Sequence, residues 1–373
     1  MRWIFWTAAA VVGYTYFGYA AWLWVRGRWR SRPVRSSPCW PSISIVMVVR
    51  NEASVLPRKL KNLLQLNYPP DLTEILVVSD GSTDGTDRVL SSAAETSPLR
   101  VLLNSESRGK AAGLNDAIRA ARGKVVVFTD ARQQIEVDAV KLLMENFADP
   151  DVGCASGELM LGDPDSGEPA KGMGLYWKFE KRIREMESSS GSVIGATGAL
   201  YAVRGDLLVA VPEETILDDV YLPMHVLKKG ARVVFDPRAR AWDVPSLGRQ
   251  REFSRKVRTL NGNYQLLLLA PWLLKSTNPE RFGFVSHKLL RLAVPFALGA
   301  ALVAALLTSG TFYRVALVLQ LAFYGLSTLA LLGTKRGRLA RAADAAFTFV
   351  LLNTAAVVAF AHFVTGRKVV WLR

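Results

Sequence analysis

The stretch WIFWTAAAVVGYTYFGYAAWLWV, residues 3–25, holds no charge across 23 positions. A helix needs about 20 apolar residues to cross a hydrocarbon core, so this stretch argues against a single soluble globule. Residues 292–309, 313–333 and 346–365 repeat the pattern, interrupted only by Arg314. The expectation is a polytopic membrane protein with about four transmembrane helices. A cleaved signal peptide would have a shorter apolar region, about 7–15 residues, followed by a small-x-small site. Neither feature is found, and residues 3–25 read as an anchor.

Behind the anchor, RGRWRSRPVR (26–35) carries five arginines, which the positive-inside rule places on the cytoplasmic face. The expected division is therefore an anchor with its basic flank (1–35), a cytosolic domain (36–262), a membrane-surface segment (263–288) and three spans (289–373). On this count TKRGRLARAA (334–343), with four basic residues, falls inside as the rule requires. The tail TGRKVVWLR falls outside, against the rule, and reads only as a membrane-surface anchor.

The formal net charge is +15. Much of the excess flanks the apolar spans, where Lys and Arg meet anionic lipid heads. With no zinc spacing, basic-region helix or aromatic nucleic-acid motif, nucleic acid is not an expected partner and membrane lipids are. Cys39 and Cys154 lie far apart and suggest neither a disulfide framework nor a metal cage. His225, His287 and His362 share no ligand spacing and read as structural.

Between the spans, strand and helix patterns alternate. ISIVMVV (43–49) and EILVVSD are apolar runs followed by helical patterns, and the series continues with strand 99–103, helix 109–122, strand 124–129, helix 136–147 and strand 152–161. Such alternation predicts an α/β domain with a mostly parallel sheet and helices on both faces. Ligands in such sheets bind beyond the carboxyl ends of the strands, and the turns there are RNEA, SDGSTDG and TDARQQ. A loop (GDPDSGEPAKG) and an amphipathic helix (MGLYWKFEKRIREMESS) follow. After residue 260, NYQLLLLAPWLL is too short to span and suits a helix at the membrane surface.

Several motifs leave two readings open. Asp80, ending a buried strand in VVSDGSTDGT, is either a turn residue or an acceptor for a base or ribose edge. Gly109 and Lys110 open a helix in SRGKAAGLN, which favours phosphate but equally suits a solvated lysine. Asp218 and Asp219, in ILDDVYLP, either complement the helix dipole or hold a general base against a reacting hydroxyl. In EFSRKVRTLNGNYQ, Arg258 faces either lipid phosphates or a substrate diphosphate. In FTDARQQ (128–134), Arg132 stands two places after Asp130, where a second carboxylate would make a metal-binding pair.

In this order, ISIVMVVRNEA, VVSDGSTDGT, RGKAAGLN, VVVFTDA, GATGALYAVR and ILDDVYLP resemble inverting glycosyltransferase family 2. The likeness is to its membrane-integrated bacterial branch, related to cellulose, hyaluronan and poly-N-acetylglucosamine synthases. The resemblance implies a nucleotide-sugar-binding glycosyltransferase A-type fold. By it, Asn51, Glu52 and Asp80 contact the nucleoside, with Lys110 near that pocket. Asp130 matches the first acid of the family's metal pair, Asp219 the general base, and Arg258 an arginine that contacts the diphosphate. Gly198 lies in the loop beside the acceptor, and Asp218 stands where the family often has glutamate. Arg255 and Thr259 stand where the synthases' gate carries glutamine and tryptophan.

The implied setting is a bacterial inner membrane with the catalytic domain in the cytosol, and the product a cell-surface or exopolysaccharide. The implied partners are a uridine-based nucleotide-diphosphate sugar, a glycan or lipid acceptor, and a second copy or a synthase subunit. Single transfer to a polyprenyl phosphate and an inactive nucleotide-sugar-binding scaffold are the competing expectations. For the charge that develops on the diphosphate there are two candidates. One is Mg2+ or Mn2+ held by Asp130, phosphates and water; the other is Arg132 acting with Arg258.

Overall fold

The computed structural model describes residues 1–164, 168–169, 175–244, 249–332 and 337–367. Most of the loop GDPDSGEPAKG, part of the basic run TKRGRLARAA and the end of the tail TGRKVVWLR lie outside the described residues.

The chain opens with α1 (Arg2–Gly13) and α2 (Tyr19–Trp29), joined by a π-helical turn at Tyr14–Gly18. The expected alternation follows: β1 (Ile43–Val49), α3 (Leu56–Leu64), β2 (Thr73–Asp80), α4 (Thr86–Thr96), β3 (Leu99–Asn104), α5 (Lys110–Ala120) and β4 (Val125–Phe128). These four strands pair in parallel in the order β3-β2-β1-β4. Ile43, Ile45, Met47 and Val49 of β1 pack with α3 and with Leu90 of α4 on one face. Val46, between them, faces Leu114 and Ala117 of α5 on the other. A strand buried from both sides has no use for polar alternation, which is why ISIVMVV reads as a continuous apolar run.

The second half contains β5 (Gln134–Ile135), α6 (Ala139–Glu145), β6 (Val152–Asp163), β7 (Glu168–Pro169), α7 (Leu175–Ser190), β8 (Tyr201–Arg204), α8 (Asp218–Lys228) and β9 (Arg232–Asp243). The helix expected over 136–147 starts later, at Ala139, because the Glu136 N–H donates to Arg240 O and carries the pairing of β5 with β9 one residue further. β8 slots between β4 and β6, antiparallel to both, and β9 runs parallel to β6. The sheet is thus mostly parallel, with β5, β7 and β8 reversed.

Beyond the sheet, α9 (Arg249–Leu269) runs unbroken across the expected 262/263 boundary and packs on α13 through Val257, Ala355 and Ala359. A short α10 (Arg281–Gly283) continues through a π-helical turn, Phe284–Leu289, into α11 (Leu290–Leu307); α12 (Thr311–Leu329) and α13 (Arg338–Val364) complete the chain. Among the described residues, three helices are long and apolar enough to cross a membrane: Arg281–Leu307, Thr311–Leu329 and Arg338–Val364. The N-terminal stretch expected as the fourth is helical but is not among them, since four tryptophans and three tyrosines dilute its aliphatic content. It packs along α11, with Phe5 and Ala8 against Ala301, Ala304 and Ala305, small side chains that admit close helix contact.

Candidate active site

The carboxyl ends of β1, β2 and β4 share one rim, and the first device there is a carboxylate that builds a loop. Asp80, only 2% exposed, accepts hydrogen bonds from Ser107 Oγ at 2.8 Å, Arg108 N at 2.8 Å and Gly109 N at 2.9 Å. Gly81, at φ 61°, brings the turn so close that a Cβ there would collide with the backbone of Ser107. Asn51 ties the next turn in: it is the one described non-glycine residue with positive φ (55°), and its Oδ1 accepts the Thr83 N–H at 2.7 Å. The Glu52 N–H donates to Thr86 Oγ1 at 2.9 Å. Burial pushes the Glu52 carboxyl up, with Arg132 opposing.

The loop fixed by Asp80 delivers Lys110, the first residue of α5. Its Nζ lies 3.0 Å from Asp130 Oδ1, just past β4, and 3.4 Å from Asp218 Oδ1, at the start of α8. Burial alone would lower the Lys110 pKa, but Asp130 and Asp218 hold it above the usual lysine range. Asp219 Oδ2 accepts the Gly198 N–H at 3.1 Å, and its own carbonyl accepts the Ala196 N–H at 2.7 Å. A Cβ on Gly198 would lie 3.4 Å from Asp219 Oδ2 and 3.6 Å from Asp130 Oδ2. Two carboxylates and the start of β8 therefore converge on one glycine. Burial, then Asp218, raise the Asp219 pKa to about 6, with Lys110 and Lys288 opposing. Arg258, from α9, feels the same cluster: burial lowers its pKa while Asp218, Asp130 and Asp219 oppose.

The structure separates the two arginines named as charge donors. Arg258 is turned toward the acids, whereas Arg132 Nη2 lies 3.7 Å from Asp243 Oδ2 at the end of β9. Arg255 Nη1, from α9, is 3.6 Å from the same oxygen, and Gln133 Nε2 donates to it at 3.1 Å. Beneath this turn, Lys59 donates to Thr129 Oγ1 at 2.9 Å and Gln133 O at 2.7 Å, with 1% of its surface exposed. Burial pushes its pKa down to about 7, with Asp130 opposing.

Sequence reasoning passed over Lys59 and Asp243. A signal for Lys59 existed, since it shares the inward helical stripe of Leu56, Leu60 and Leu63. Asp243 ends a strand that no motif announced.

No group of three His, Cys, Asp or Glu able to hold a metal is found among the described residues. Asp130 nevertheless keeps 38% of its side chain exposed, with Oδ2 toward the space beside Gly198. One carboxylate completed by substrate phosphates and water is a donor set magnesium commonly uses. The residues fit a divalent cation on those terms.

Residues 44–207 match the family model for Glycosyl transferase family 2. The chain carries a family 2 glycosyltransferase domain. Its relatives include a poly-beta-1,6-N-acetyl-D-glucosamine synthase of Staphylococcus aureus, 25% identical over 230 residues, covering 61% of this chain and 55% of the synthase. Another is a beta-monoglucosyldiacylglycerol synthase of Nostoc sp., 27% identical over 205 residues, covering 53% of this chain and 44% of that protein. The chain spans about half the length of the curated relatives it matches. Among solved structures, a mannosyltransferase from Pyrobaculum calidifontis in complex with GDP-Man and Mn2+ superposes with TM-score 0.75. It is 25% identical and covers 98% of this chain and 100% of its own. The fold of this domain is the glycosyltransferase A type expected from the sequence.

Proposed function

We propose that this glycosyltransferase moves a sugar, with inversion, from a nucleotide-diphosphate donor to a hydroxyl of a glycan or lipid-linked acceptor at the cytoplasmic face of a bacterial membrane. The observation that carries the reading is the convergence of Asp219, Asp130 and Lys110 beside Gly198. Asp219 takes the acceptor hydroxyl proton, the freed oxygen bonds to the anomeric carbon, and the carbon–oxygen bond to the diphosphate breaks. Its electron pair leaves with the nucleoside diphosphate, and no covalent enzyme intermediate is required. Lys110 and Arg258 face the charge that develops on the departing diphosphate, where preorganised cations lower the barrier most.

Asp130 is the residue that would hold Mg2+ or Mn2+, and the ion would supply a Lewis acid to the phosphate oxygens. The mannosyltransferase bound to GDP-Man and Mn2+ supports both the donor class and the metal. Uridine donors, expected from the family resemblance, come first in the assay, and guanosine donors second because of that complex.

The test is release of nucleoside diphosphate by detergent-purified protein against a panel of nucleotide sugars, with Mg2+, Mn2+ or EDTA. We expect metal-dependent release by the wild type and none by Asp219→Asn. Loss of nucleotide binding together with release in Asp219→Asn would make the acid structural and overturn the mechanism. EDTA-resistant release would remove the metal and leave the charge to the arginines.

A further inference from the structure

Three polar side chains of α3 grip the turn that carries Asp130 out of β4. Arg58 Nη2 donates to Arg132 O at 3.1 Å and Lys59 Nζ to Gln133 O at 2.7 Å. Asn62 Nδ2 donates to Ile135 O, and its Oδ1 accepts the Ile135 N–H, both at 2.8 Å. Lys59 reaches further than the other two. Its Nζ also donates to Thr129 Oγ1 at 2.9 Å, and that hydroxyl donates in turn to Ala199 O at 2.9 Å. The ladder between β4 and β8 ends at the pair Phe128 and Tyr201. Past it the two chains part, one toward Asp130 and the other toward Gly198, whose N–H meets Asp219 Oδ2. Thr129 Oγ1 ties them once more, and Lys59 holds that hydroxyl from behind.

Nothing in the packing calls for a lysine at this place. Lys59 is 1% exposed, and both of its acceptors, a hydroxyl and a carbonyl, are neutral. Leu56, Leu60 and Leu63 of the same helix pack into the core beside it, so leucine or methionine would suit the stripe, and lysine is almost never fully buried unless paired. What an apolar side chain cannot supply is the donors that join the two loops. We infer that Lys59 is a positioning residue for the proposed transfer, fixing the Asp130 turn and the Gly198 loop relative to one another through Thr129. The inference rests on the roles proposed for Asp130 and Asp219 and adds the part that sets their spacing. The reaction joins an oxygen held on the Asp219 side to a carbon held on the Asp130 side, and a misplacement of about 1 Å can cost about 10²-fold in rate. Lys59 itself is too deeply buried to touch the reacting atoms.

The experiment uses the full chain in detergent with the donor found in the release assay. Each release rate at saturating donor is scaled to the sites counted by binding of UDP or GDP, matching that donor, so that unfolded protein drops out. Thr129→Val and Lys59→Met should each lower the rate per site by about 10–100-fold, with the Kd for the nucleoside diphosphate, measured without metal, unchanged. Thr129→Ser keeps the hydroxyl and should restore the wild-type rate. The valine and serine variants at Thr129 decide the matter even if Lys59→Met does not fold. A wild-type rate per site in Thr129→Val, or an equal loss in Thr129→Ser, overturns the inference while leaving glycosyl transfer standing. A parallel rise in Kd would make the role one of holding the nucleotide pocket together and overturns it too. No release by the wild type with any donor removes the parent reading and this inference with it.

Discussion

At the scale of single residues, Asp219 and Lys59 are both ionisable groups moved by burial, with opposite consequences. Asp219 must be ionised to accept a proton, so transfer should rise about tenfold per pH unit below its pKa of about 6 and level off above it. Asp219→Asn should lose about 10²–10⁴ in rate, the usual range for a general base, without a lower Tm, because the neutral amide escapes the cost of burying a charge and can still accept from Gly198. A flat pH profile in the wild type would sink the assignment. Lys59 holds the turn that carries Asp130, and its pKa falls to about 7 in the folded state against about 10.4 unfolded. Between those values the unfolded chain binds more protons, so this group adds stability as pH rises from about 7 to 10. Lys59→Met should therefore cost more stability at pH 9 than at pH 7, measured by denaturant midpoints at each pH. Asp130 and Asp219 were legible in the sequence because acids at a strand end and a helix start stand out beside apolar runs. Asp243 was not, since its partners Arg132 and Arg255 come from distant parts of the chain.

Among the elements, α9 does what its sequence leaves ambiguous. EFSRKVRTLNGNYQ offers cations for lipid or for substrate, and one helix face answers: Arg258 turns to the acids of the site, while Arg255 joins Arg132 on Asp243. Arg255 and Arg132 both approach Oδ2 of Asp243, so this carboxylate links the turn after β4 to α9. Arg132 is 51% exposed and 3.7 Å from its partner, a geometry that contributes little, about 0–1 kcal/mol. Arg258→Ala should lower nucleoside diphosphate release by about 10²–10³, as for removal of a preorganised charge-stabilising donor, and Arg132→Ala by less than about tenfold. The reverse order in steady-state release would restore Arg132 as the substitute for a metal. Within the parallel block, β1, β2 and β4 were readable because each is largely buried on both faces and carries the apolar run that burial demands, while the half-exposed edge strand β3 was readable from its place in the alternation. β8 and β9 were not, since β8 has only four residues and β9 mixes Arg and Asp into its outer half. Their places are set by pairing partners far away in the chain.

On the scale of the whole molecule, apolar length marked the candidate spans, but not that the N-terminal helix docks on α7. Tyr19 and Leu23 of α2 pack on Ile183 of α7, and Arg26 forms a two-pronged pair with Glu280 at 3.0 and 3.3 Å. The Tyr19 hydroxyl donates to Glu187 Oε1, and Glu187 is among the residues that line a cavity opening on Asp219. The N-terminal helix thereby helps to position a wall of the cavity beside Asp219, and this coupling depends on a buried hydrogen bond to a carboxylate, typically about 1.5–3 kcal/mol. Tyr19→Phe keeps the ring and removes only that bond. For a chain of this size each kcal/mol lost lowers Tm by about 2–4 °C or less, so a drop of a few degrees is expected in detergent. Trypsin should also cut sooner within RGRWRSRPVR, since a loosened α2 exposes the arginines that follow it. Unchanged melting together with unchanged cleavage would mean that α2 is held by its apolar contacts alone, and that the N-terminal helix and the cavity beside Asp219 are mechanically independent.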